Sequence, residues 1–185
     1  MDSMHTTASA NTVPPLSLAV LQTNPTVGDL QGNAQALVAA ACAAYAQGAR
    51  FVVTGAMALC GAPLGDLAQR PAFAQACSRA VDDMARQLAN MPDLTVVTSH
   101  AGGLVVLRGG EQIALHAATQ HVCMLHVQGV RIAVVDAHAQ GGASAAQAAA
   151  TAHAQLLCML AASPWHMEQP ARREQAVMQL ARQTN

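Results

Sequence analysis

Leu18-Ala-Val-Leu-Gln-Thr-Asn-Pro-Thr-Val-Gly-Asp-Leu-Gln-Gly-Asn33 passes from strand to turn to helix within one short stretch. Residues 16–22 form an apolar run of strand length. Asn24-Pro-Thr-Val-Gly-Asp29 reads as a turn, and Asp29 is placed to cap the next helix. From Leu30 onward, Ala34, Leu37, Ala41 and Tyr45 recur at helical spacing, and Gly48 supplies a C-terminal stop. Phe51-Val-Val53 is then a short buried strand. The stretch therefore opens an alternation of strands and helices.

Outward from it the alternation continues. A glycine-rich turn over 55–65 leads to a second helix after Pro71, with Phe73, Cys77, Val81, Met84 and Leu88 on one face. Residues 94–98, 103–107 and 112–115 read as consecutive strands, the last two joined by a hairpin at Arg108-Gly-Gly-Glu111. Residues 122–127 and 130–135 pair across Gln128-Gly129. A Gly/Ala/Ser-rich segment over 140–150 begins as loop and becomes helix, 156–160 is another strand, and 169–182 is a closing helix. Helices alternating with strands, with a meander between, predict a layered α/β fold. Residues 1–15 are polar and rich in small residues, and are expected to form a disordered lead-in rather than a secretory signal.

Composition narrows the function classes. Hydrophobic residues make up 52% of the 185-residue chain but aromatics only 2%, so the core must be built from Ala, Val, Leu and Met. Such a core suits a domain of modest stability, or one that leans on a partner. Charged residues are only 10% and the formal net charge is -1, which offers no basic face for nucleic acid. The apolar runs are too short to span a bilayer. Cys42, Cys60, Cys77, Cys123 and Cys158 are scattered without CxxC spacing and read as buried free thiols in a reducing compartment, hence the cytoplasm. All nine cationic residues are arginine, and the chain contains no lysine.

Four segments together resemble the glutaminase domain of glutamine-dependent NAD synthetases, within the carbon–nitrogen hydrolase (nitrilase) superfamily. Residues 18–33 resemble its first strand and helix start. Gly48-Ala-Arg-Phe-Val-Val53 is similar to the strand leading to its glutamate, and Asp66-Leu-Ala-Gln-Arg-Pro-Ala-Phe73 to the start of its next helix. Ala162-Ser-Pro-Trp-His166 with Ala171-Arg-Arg-Glu174 resembles a motif beyond its nucleophile. The resemblance runs over residues 16–185 and implies a truncated α-β-β-α sandwich, a partial carbon–nitrogen hydrolase-like domain. It also implies a chemistry: a cysteine attacks the glutamine amide, a glutamate acts as base and a lysine steadies the oxyanion.

Position by position, those roles fall on alanines. Ala56 stands where the glutamate belongs, Ala118 at the lysine and Ala137 at the cysteine. Only residues 116–121 bridge the place of a substantial family loop, and the family domain would continue beyond Asn185. No family-type catalytic residue is therefore expected. The substitutes are Cys60, four residues beyond Ala56, with His138 as base, and the strand-end pair Asp136 and His138. The plainer readings are a buried thiol and a structural or solvated pair. His116, His121, Cys123 and His126 form the densest ligand cluster, but strand alternation puts His126 on the face opposite His121 and Cys123. The glycine pairs lack phosphate-binding signatures and the methionines read as packing filler.

No cofactor or metal is expected. The expected role is an inactive binding, regulatory or oligomerisation module. Its partners would be a second copy or an intact nitrilase-type or NAD synthetase subunit. The alternatives are an amide hydrolase rebuilt on Cys60 and His138, and a decaying fragment. A shortened sheet should also leave apolar surface or an unpaired edge.

Overall fold

The structure, a computed structural model, describes residues 15–116, 122–136, 142–161 and 169–184. The expected lead-in falls almost wholly outside them. Strand β1 (Leu18–Leu21) is followed by α1 (Leu30–Ala46) and β2 (Phe51–Thr54). A 3-10 turn (Gly65–Gln69) precedes α2 (Pro71–Gln87), so the second helix opens at Pro71 as expected and the residues from Asp66 form a separate tight turn ahead of it. Pro71 explains the break: it lacks an N–H to continue a helix but fits the first helical position. Then come β3 (Thr95–His100), β4 (Gly103–Arg108) and β5 (Glu111–His116). The last third holds β6 (Cys123–Val127), β7 (Val130–Asp136), α3 (Gly142–Thr151), β8 (Leu156–Leu160) and α4 (Gln169–Thr184).

Strand order follows chain order in both sheets, β1-β2-β3-β4-β5 in one and β6-β7-β8 in the other. The pairs β1–β2, β2–β3 and β7–β8 are parallel, and the rest antiparallel. Gln128 and Gly129, at φ 50 and 80, supply the two left-handed positions of the β6–β7 turn, which a right-twisted hairpin favours.

Pleat alternation divides the larger sheet between two cores. Its outer face (Val52, Val96, Val105, Leu107) packs against Leu37, Val38 and Ala41 of α1 and Val81 and Met84 of α2. Its inner face (Phe51, Val53, Val97, Leu104, Val106) meets Cys123, Leu125, Val127, Ile132, Val134 and Leu160 of the smaller sheet. Ala133 and Val135 point the other way along β7, and Ala146 and Ala149 of α3 are buried too. The layers run helix, sheet, sheet, helix, as the sequence implied. Arg108 ties the sheets together, its Nε donating to Thr95 Oγ1 at 2.8 Å and its Nη2 to the His126 carbonyl at 3.0 Å. Leu18 and Val20 of β1 are 42% and 61% exposed.

Candidate functional site

The parallel strands β2 and β3 end side by side, and the chain leaving β2 carries the position that the resemblance assigns to a general base. Thr54 closes the strand, buried, with its hydroxyl within hydrogen-bonding distance of the Gly55 carbonyl at 2.9 Å and of Thr98 Oγ1 at 3.0 Å. Ala56 comes next but one, half-buried, and packs against the inter-sheet core that also contains Val134, two residues before the end of β7. Met57 is held at φ 59, its N–H donating to Ser99 Oγ at 2.8 Å. A non-glycine residue in that conformation persists only where neighbours over-determine it. The frame is rigid, but Ala56 offers a methyl group, which neither takes up nor releases a proton.

Two interactions with the β1–α1 turn lock this loop. Asn33 is buried; its side-chain amide donates to the carbonyls of Thr26 (2.8 Å) and Leu59 (3.0 Å) while its oxygen accepts the Thr26 N–H at 2.9 Å. Gly28 donates to the Cys60 carbonyl at 2.9 Å. Gly61, at φ 71, lies so close that an added Cβ would sit 2.8 Å from the Val27 Cα, a backbone atom unable to yield. Nothing in the sequence singles out Asn33, Ser99 or His100. Asn33 ends the strand–turn–helix stretch, but its partners are main-chain atoms that no side-chain pattern announces.

Cys60, the candidate substitute nucleophile, is fully buried beside Leu64 and Cys77. Burial pushes its thiol up, outweighing the hydrogen bond from the Ala101 backbone, and pushes Cys77 up to about 11. A thiol so placed stays protonated near neutrality, and the thiolate is the nucleophilic form. His100 is also buried, which lowers its pKa, and its Nδ1 accepts the Gly102 N–H at 2.9 Å. It stands as a neutral imidazole with that nitrogen occupied.

Cys123 is buried and His126 exposed, on opposite faces of β6. Among the described residues no group of three or more His, Cys, Asp or Glu side chains is arranged to hold a metal ion. Asp136 ends β7. Ala118, His121, Ala137 and His138 lie outside the described residues, and the His116 backbone closes β5. Among the described helices none is long and apolar enough to cross a membrane.

No protein-family model matches the chain. In sequence, 59 residues are 42% identical to the glutamine-dependent NAD(+) synthetase of Synechocystis sp., covering 32% of this chain and 11% of that protein. In structure, the chain superposes on glutamine-dependent NAD+ synthetase from Acinetobacter baumannii with a TM-score of 0.77 at 18% identity, covering 90% of this chain and 36% of that one. It superposes on an amidase of the nitrilase superfamily from Nesterenkonia with a TM-score of 0.68 at 18% identity, covering 84% and 69% respectively. A further structure of that amidase carries the acetamide moiety of fluoroacetamide on its active-site cysteine (TM-score 0.66, 18% identity, 83% and 67% covered). The chain thus spans about a third of the A. baumannii synthetase and about two-thirds of the amidase. The chain has the nitrilase fold, and over 59 of its residues it is similar in sequence to a glutamine-dependent NAD(+) synthetase.

Proposed function

We propose that the chain is a catalytically inactive glutaminase-like domain, acting in the cytoplasm as a binding, regulatory or oligomerisation module. Its partner would be an intact nitrilase-type or NAD synthetase subunit. The observation that carries this reading is the absence of lysine from the whole sequence, since it depends on no alignment. Ala56 on its rigid frame adds the missing base, and Ala137 the missing nucleophile by sequence position. Loss of a nucleophile alone costs on the order of several powers of ten in rate, and no acyl-enzyme can form without it.

The rebuilt-hydrolase reading gains no support from Cys60, whose thiol is buried and protonated. The test is ammonia release from glutamine by the purified full chain, together with the mass of complexes isolated from its own cells. Background-level release and a stoichiometric companion are expected. Turnover that disappears in Cys60→Ser would overturn the inactive reading.

A further inference from the structure

The turn between β3 and β4 is Ala101-Gly102, closed by the pairing of His100 with Gly103. Each amide of the turn finds a side-chain acceptor. The Gly102 N–H donates to His100 Nδ1 at 2.9 Å, and the Ala101 N–H to the sulfur of Cys60. The His100 ring lies against Gly102, where an added Cβ would sit 2.7 Å from ring Cε1 and 3.3 Å from Nδ1. Gly102 is not in the left-handed region, so the ring, and not the turn, excludes a side chain there. An imidazole nitrogen that accepts an N–H carries no proton, so the turn as folded requires a bare Nδ1.

This turn also steadies the loop after β2. The Ser99 carbonyl accepts the Leu59 N–H at 3.4 Å, and Ser99 Oγ accepts the Met57 N–H at 2.8 Å. Together with the bond from Ala101 to Cys60, they fasten residues 57–60 to the end of β3.

We propose that His100 is an acid-sensitive latch: a proton on its Nδ1 breaks the bond to Gly102, opens the β3–β4 turn and loosens the loop that carries Ala56. The protonated ring donates from both nitrogens, so its Nδ1–H would face the Gly102 N–H. Turning the ring over does not restore the bond, because a ring carbon then meets the amide. The charge would also lie buried. Few groups could offset it. Residues 55–64 include no charged side chain and one titratable group, Cys60, a thiol whose pKa burial raises. On α2 the buried titratable group is Cys77, raised in the same way, while Arg79, Asp82, Asp83 and Arg86 are exposed. Asp66 pairs with Arg70, and Asp29 is engaged in capping α1. Arg108 and Glu111 stand at the far ends of β4 and β5, and His116 is two strands away from β3. Among the described residues burial is the sole cause that moves the His100 titration, and it moves it downward, which keeps the latch closed at neutrality. The latch does not depend on whether the domain hydrolyses glutamine.

The test is amide hydrogen exchange on the full-length chain, corrected for the intrinsic pH dependence of exchange, with the His100 ring followed by NMR over the same range. From pH 7 to 5, protection at Met57, Leu59 and Gly102 is expected to fall about tenfold or more in step with the ring, while Ile132 and Val134 keep theirs. His100→Asn places a neutral oxygen where Nδ1 stands and is expected to hold the loop across the range. His100→Phe keeps an aromatic ring without the acceptor and is expected to leave the loop loose at neutral pH. Should that variant not fold, the wild type and His100→Asn decide the matter between them. Unchanged protection of the loop as the ring titrates would overturn the latch, as would a ring that stays neutral until the chain unfolds. An equal loss at Ile132 and Val134 would also overturn it, since His100 would then act on overall stability alone. So would an acid step that survives in His100→Asn, because another group would be its source.

Discussion

Asn33 satisfies three backbone groups of two separate loops with one side chain, and no other residue type of its size offers both donors and an acceptor in that arrangement. Removing it takes away the buried donor to the Leu59 carbonyl and both half-buried bonds to Thr26, whose carbonyl keeps the Asp29 N–H. Asn33→Ala is therefore expected to destabilise the fold by about 2–3 kcal/mol, read as a lowered urea midpoint with unchanged slope. His100 brings a pH dependence with a definite sign. Burial lowers its folded pKa beneath its ordinary value of 6.5, so the unfolded chain takes up the proton first as pH falls. This contribution is fully present above about 6.5 and is lost as pH drops through the window down to the lowered folded value. Urea midpoints between pH 7 and 5 should decline accordingly, and His100→Gln should flatten the decline.

At the scale of elements, what the sequence shows depends on how local the cause is. α1 was legible in full because its cap, buried face and stop all lie within the segment. Asp29 Oδ1 accepts the Gly32 N–H at 2.9 Å, and Ala34, Leu37, Val38 and Ala41 are buried. Asp29→Ala should cost about 1 kcal/mol, measured by thermal or urea unfolding. The β6–β7 hairpin was legible for the same reason, since Gln128-Gly129 carries its turn geometry itself. The loop after β2 was not. Its shape is dictated by Asn33, 26 residues from Leu59, and by Ser99, 42 residues from Met57. The alanine at position 56 was readable, but the frame of hydrogen bonds around it emerges only when β1, β2 and β3 stand together.

In the whole molecule, the alternation of a strand does not by itself decide burial. Val20 alternates like a core residue and pairs with the buried Val53, yet it is 61% exposed. Phe51, on the neighbouring strand, is fully buried and is the sole aromatic in the described inter-sheet core, where the rest of the packing comes from aliphatic residues and cysteine. Phe51→Ala should cost about 3–5 kcal/mol, a large share of the total stability of a domain this size. Calorimetry would show a much lowered or absent transition, and Phe51→Leu a milder loss. The strand order carries a further consequence. Each strand pairs with the one made just before or just after it, so during synthesis every newly emerged strand finds its neighbour already waiting. The hairpin-linked pairs can therefore close as soon as they emerge, whereas each parallel pair must wait for the helix made between its strands.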